Sequence, residues 1–87
     1  MTDCQKLREA IERLENAADL YLARIIIRDQ ILPIVIALIP GFPLLQGFDP
    51  DTASAQQIDD FISGLLSCQE WECSEELALI EWGGLEV

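Results

Sequence analysis

The sequence predicts an all-α protein, and three observations carry this prediction. Apolar side chains recur at alternating spacings of four and three residues over the first 39 positions, a pattern typical of helices that pack against other helices. Two segments open with the residue pair of a capping box, which forms reciprocal hydrogen bonds at a helix N-terminus. No segment alternates apolar and polar positions as a half-buried strand does.

The first predicted element is a long amphipathic helix over residues 1–39. Thr2 and Gln5 form the first capping box, so the helix should begin near Asp3. Further apolar residues at the flanking heptad positions widen the stripe and favour three or more helices around each core, whether these come from one chain or from several in a coiled-coil assembly. We expect a homo-oligomer interface at the apolar a and d positions, which are Leu7, Ile11, Leu14, Ala18, Tyr21, Ile25, Leu32, Val35 and Ile39.

One d position of this stripe is charged. Arg28 would be costly to bury without a partner, so we expect its side chain to reach solvent from the edge of the stripe.

Prolines in the middle of the chain are expected to kink or end the helix. Pro33 lies inside the periodic segment and should kink the helix or start a new one, with helix on both sides. The Pro-Gly-Phe-Pro run at 40–43 should end the helix, because the residue before a proline is pushed out of the α region. We therefore expect an irregular linker over residues 40–53.

The acidic part at 54–87 should contain two shorter helices. Ser54 and Gln57 form the second capping box. It opens a helix of about four turns with a helical apolar spacing at Ile58, Phe61, Ile62, Leu65 and Leu66. Ser74 is predicted to cap a third helix that leads to Trp82 and stops at the following glycine pair.

Length and composition limit the chain to one small domain that has more apolar surface than its own core would bury. A monomer of 87 residues buries only about 60–65% of the surface that its unfolded chain exposes. Yet 51% of the residues are hydrophobic, and the mean hydropathy is +0.24. The surplus predicts that a partner chain or a membrane covers part of the surface.

The charge is strongly asymmetric. The formal net charge is −11, all five basic residues precede position 29, and residues 31–87 hold ten acids and no base. Direct binding of nucleic acid is disfavoured, because a phosphate backbone requires clustered basic side chains. A basic protein surface is the expected partner, and the residues expected to bind it are Trp71, Glu72, Glu75, Glu76 and Trp82. Packing of both tryptophans in the core is the alternative.

Nothing in the sequence indicates a catalytic, cofactor or metal site. The chain has no histidine and no glycine-rich phosphate loop. Asp49, Asp51 and Asp60 have the spacing of a calcium loop, but Ser54 stands where such a loop needs glycine. Cys68 and Cys73 lack the four-ligand spacing of a zinc site. We therefore expect no enzyme, no cofactor and no bound metal.

Three cysteines are too few for the disulfide framework of a small secreted domain. Together with an N-terminus that does not resemble a secretory signal, they predict unpaired structural thiols and a reducing compartment. A cytoplasmic location, or one inside a large assembly such as a virion, follows from this interpretation.

One segment raises the alternative of a small membrane protein. Residues 30–48 carry no charge, and a membrane anchor at 31–48 would have every base on its N-terminal side. Against this alternative, prolines and glycines leave only about nine residues as helix, roughly half a bilayer's thickness. We prefer a buried core or a subunit interface.

Taken together, these features predict a non-catalytic helical interaction or assembly protein. It would oligomerise or dock through its N-terminal helix and present its acidic half to a partner, as a minor structural or adaptor component of a phage-like particle or other large complex would. Two alternatives are the membrane protein described above and an acidic inhibitor that mimics nucleic-acid charge.

Overall fold

A computed structural model describes residues 2–85, which are mostly helical and contain no strand. The all-α prediction is confirmed for this part of the chain. The elements in chain order are α1 (Asp3–Glu15), α2 (Leu20–Ile26), a π-helical turn (Ile27–Ile31), α3 (Leu32–Leu38), a 3-10 turn (Pro43–Leu45), α4 (Ala55–Ser67) and α5 (Ser74–Leu77).

The first helix begins as predicted but is much shorter. The Gln5 amide donates to Thr2 Oγ1 at 3.2 Å, and the Thr2 amide donates to Gln5 Oε1 at 3.0 Å, which completes the capping box. The helix then ends at Glu15, and Asp19 caps a new helix by accepting the Leu22 amide at 2.8 Å. The prediction of a long N-terminal helix kinked near Pro33 is therefore not confirmed, since the first helix covers 13 residues.

The physical reason for this break is intramolecular packing. After the turn at 16–19, the chain folds back so that α1 lies against α2 and the π-helical turn. Leu7, Ile11 and Leu14 are fully buried, as are Ile27 and Ile31. One continuous helix would leave this stripe in water unless other chains covered it, whereas the fold-back buries it within the chain.

The π-helical turn accounts for how the chain accommodates Pro33. Proline has no N–H to donate, and its ring clashes with the carbonyl four residues earlier in a regular helix. Here the turn just before Pro33 widens, and the Leu32 amide bonds to the Ile27 carbonyl five residues back. Helix continues on both sides, and Pro33 lies in the first turn of α3, as the sequence predicted.

The 40–53 segment is irregular apart from the 3-10 turn, but it packs against the core rather than forming a loose linker. Phe42 packs edge to face against the Phe61 ring, with 5.6 Å between the ring centroids, and Phe48 stacks on the same ring with 4.5 Å between the centroids. The Arg24 Nε donates to the buried Ala53 carbonyl at 2.8 Å. These contacts attach the segment to α4 on one side and to α2 on the other.

Helix α4 matches its prediction closely. Ser54 and Gln57 form the expected capping box, with bonds of 2.8 and 3.1 Å. Four of the five predicted apolar positions are buried and the fifth, Leu66, is half-buried. The local signals of cap and spacing were therefore sufficient to predict this helix.

The last helix differs from its prediction. It covers only Ser74–Leu77, with Cys73 rather than Ser74 at the cap position, and it does not reach Trp82. The Ile80 amide bonds to the Leu77 carbonyl three residues back, so the helix tightens and ends. The chain beyond it is attached to other helices, because the Gly83 amide donates to Glu15 at 3.2 Å and the Leu85 amide to Asp59 at 2.9 Å.

A disulfide joins Cys4, in the first turn of α1, to the buried Cys73 before α5. The expectation that these thiols are unpaired is therefore wrong, while Cys68 is free. Helix α4 ends at Ser67 with Cys68 at its C-cap, and Cys73 pairs with the thiol 69 residues away in sequence rather than with Cys68. The fold-back places α5 against α1, which brings the two distant cysteines together.

Candidate functional site

The residues assigned from the sequence to an oligomer interface divide into two groups. Leu7, Ile11, Leu14 and Val35 are fully buried inside the chain, so they are not accessible to a second copy in this fold. Ala18 and Tyr21 are exposed, and Ile25, Leu32 and Ile39 are half-buried. The accessible remainder of the stripe therefore lies mainly on the outer side of the helical run at 20–38.

The C-terminal residues predicted to bind a partner also fall into an exposed group and a half-buried group. Glu72 and Glu75 are exposed, whereas Glu76 is half-buried and pairs with Arg8 at 2.7 Å. Trp71 and Trp82 are half-buried and pack against the core, as the alternative interpretation expected. Their indole N–H groups are covered and have no acceptor among residues 2–85. Only the indole faces that remain exposed could contact a partner.

Most of the basic side chains are bound within the chain. Arg8 pairs with Glu76 and lies 3.6 Å from Glu12, while Arg24 is held by a carbonyl. Arg13 donates from Nε to Gln30 Oε1 at 3.0 Å. These basic side chains are thus occupied by contacts within the chain. Glu72 and Glu75 are exposed, and neither forms an ion pair with another residue among 2–85.

Arg28 is exposed, as expected from its position at the edge of the stripe. It pairs with Asp29 at 2.9 Å and with Asp51 at 3.4 Å. The hydrogen bond from Arg28 lowers the pKa of Asp29, and the same pair raises the pKa of Arg28. The π-helical turn thus displays a charge pair on the outer side of 20–38, next to the accessible part of the stripe.

An open groove of about 640 Å³ lies between α1 and α2, and the sequence analysis did not identify it. Its lining includes the exposed Leu22 and the carboxylates of Glu9 and Glu12. A second depression of about 330 Å³ is lined by Leu79, Glu15 and residues near them. The one available signal was Leu22, an apolar residue beside the main stripe, since the groove itself arises only when α1 folds back.

The residues considered for metal binding do not converge on one point. Asp49 accepts the Asp51 amide at 2.9 Å, Asp51 itself faces Arg28, and Asp60 accepts from Gln56. Among residues 2–85, no group of three or more histidine, cysteine or acidic side chains is placed to hold a metal ion.

The uncharged segment at 30–48 does not form one helix. The π-helical turn, the short α3 and the 3-10 turn divide it. In the described part of the chain, no helix combines the length and the apolar character that a membrane crossing requires.

Comparisons with protein-family models, with curated proteins and with solved structures each gave no match for this chain.

Proposed function

We propose that this chain is a non-catalytic helical interaction protein that docks into a larger assembly and presents acidic side chains to a basic partner. The observation that supports it is the exposure of large apolar side chains on a strongly acidic small fold. Tyr21 is 73% exposed, Leu79 69% and Ile36 54%. An ordinary monomer exposes scattered apolar residues, but in a chain this small, covering three side chains of this size with a partner would remove a large share of the exposed apolar surface from water.

Self-association, in this proposal, uses the outer side of 20–38. Tyr21 and Ile25 lie one α-helical turn apart there, and Leu32 follows directly after the π-helical turn. Residues 20–38 hold Arg24 and Arg28 against one acid, Asp29, so this is the least acidic stretch of the sequence, although Arg28 also pairs with Asp51. Two copies of a chain with a net charge of −11 repel each other least when this part forms their contact.

The disulfide is consistent with the suggested role in a phage-like particle. Such bonds persist in oxidising surroundings, which include virion surfaces. A cross-link between Cys4 and Cys73 would preserve the fold of a small subunit outside the reducing cytoplasm.

Sedimentation equilibrium without detergent tests self-association. We expect a defined multimer that Tyr21→Asp dissociates, because the variant places a charge in the proposed contact. Leu44→Asp is the matched control: Leu44 is 41% exposed and lies outside the stripe, so this variant should leave the multimer intact. A wild-type chain that stays monomeric at high concentration would contradict self-association.

A further inference from the structure

The groove between α1 and α2 has an apolar floor and an acidic rim. Ala17, Leu22 and Ile26 supply apolar lining, and Leu22 is 41% exposed. Glu9 and Glu12 stand along the α1 side. The full lining is Glu9, Glu12, Arg13, Asn16, Ala17, Leu22, Ile26 and Gln30. An apolar floor with charged walls is the form of surface that accepts an amphipathic helix.

The second depression extends this surface beyond the α1 ridge. It shares Glu12 and Asn16 with the groove, so the two depressions adjoin along one turn of α1. On its far side it contains Leu79, the second most exposed large apolar side chain in the described chain. Glu15 and Glu81 add two more carboxylates. We call the two depressions together the α1 face.

Charge decides which occupant suits the α1 face. Its lining holds Glu9, Glu12, Glu15 and Glu81 against one base, Arg13, which donates to Gln30. Arg8 lies 3.6 Å from Glu12 and neutralises it in part, but its shorter contact is to Glu76. A second copy of this chain, with its own net charge of −11, would be repelled here. A basic segment would be attracted.

We propose that the α1 face binds a basic amphipathic helix of another protein. Leu22 and Leu79 contact the apolar stripe of that helix, and the four carboxylates meet lysine or arginine side chains beside the stripe. The inference rests on the proposed function in one respect, the presentation of acids to a basic partner, and it specifies where that partner binds. It also separates this contact from self-association, which uses the outer side of 20–38.

A pair of model peptides tests the proposal. One is a fluorescein-labelled helical peptide of about eighteen residues made of leucine and lysine, with its leucines on one face; the other replaces every lysine with glutamate. Fluorescence anisotropy at physiological salt measures binding to the oxidised full chain. We expect the lysine peptide to bind and the glutamate peptide not to bind.

Single variants locate the contact. Leu22→Asp and Leu79→Asp should each weaken binding of the lysine peptide at least tenfold, because they place a charge under its apolar stripe. Each also adds a negative charge, so general attraction alone would strengthen binding. Leu44→Asp is the matched control, since it adds the same charge at a position that is 41% exposed, as Leu22 is, and lies outside both depressions and outside residues 20–38; it should change the affinity less than twofold. Circular dichroism melts verify that each variant is folded.

The failures of the two proposals can be told apart with one further variant. If Glu72→Lys with Glu75→Lys weakens binding and the two leucine variants do not, the acidic C-terminal surface binds the peptide and the α1 face is wrong. If Leu44→Asp weakens binding as much as Leu22→Asp does, the attraction is not localised and the α1 face is again wrong. If the lysine peptide does not bind at all, the α1 face and the presentation of acids to a basic partner both fail, whereas self-association is decided by the sedimentation experiment alone.

Discussion

Asp29 and Arg28 are adjacent in sequence and form an ion pair on the exposed side of the π-helical turn. Both are exposed, so the pair contributes little stability, and its main effect is on titration. The folded-state pKa of Asp29 lies below its ordinary value of 3.8. The small stabilisation that the Arg28–Asp29 pair gives the folded state is therefore complete above pH 3.8. It is lost as the pH falls through the lower folded-state pKa of Asp29.

Replacing Arg28 should reveal this effect. We expect Arg28→Gln to raise the pKa of Asp29 towards its ordinary value, because the hydrogen bond and the opposite charge are removed together. Carbon-detected NMR titration of the Asp29 carboxyl group measures the change. Arg24→Gln removes a guanidinium that bonds to the Ala53 carbonyl instead, and should leave the titration of Asp29 as it is.

At the scale of elements, the turn at 16–19 decides the architecture. Asp19 begins α2 by accepting the Leu22 amide, one of the donors that a helix N-terminus leaves without a partner. Without this cap the fold-back would lose part of its local support. The packing of α1 against the π-helical turn would remain.

We expect Asp19→Ala to lower the free energy of unfolding by about 1 kcal/mol, the usual cost of losing an N-cap acceptor. Asp19→Asn keeps an acceptor oxygen and should remain within a few tenths of a kcal/mol of the wild type. Urea denaturation followed by circular dichroism measures both. An alanine variant as stable as the asparagine variant would show that packing alone sets the turn.

These elements also show where sequence reasoning succeeds. The starts of α1 and α4 follow from residues three positions apart, Thr2 with Gln5 and Ser54 with Gln57, so local chemistry was enough. The break after Glu15 was not predictable in this way, because Ala17 and Ala18 favour helix and only Asn16 favours a turn. The burial of Leu14 within the chain selected the turn, and the α1 face formed as a result.

For the whole molecule, the Cys4–Cys73 disulfide is the contact that sequence could least predict. Its partners are separated by 69 residues, and Cys68 lies much nearer to Cys73 in sequence. The bond closes most of the chain into one loop. Such closure removes conformational entropy from the unfolded state, and more of it for longer loops.

Reduction should therefore lower the free energy of unfolding by about 2–5 kcal/mol. The measurement is urea denaturation with and without a thiol reductant, in a Cys68→Ser background that prevents exchange with the free thiol. In oxidising buffer, Cys68→Ser alone should match the wild type. Equal midpoints with and without reductant would mean that the bond does not stabilise the fold.

The same bond sets a limit on how far the molecule can be stretched. Under tension between Thr2 and Leu85, only the two residues before Cys4 and the twelve after Cys73 lie outside the closed loop and can be pulled straight, a span of about 50 Å. The reduced chain would extend to about 300 Å. In an assembly that swells or is pulled apart, the oxidised subunit would therefore act as a short, nearly inextensible tether, and the reduced one as a long and compliant strand.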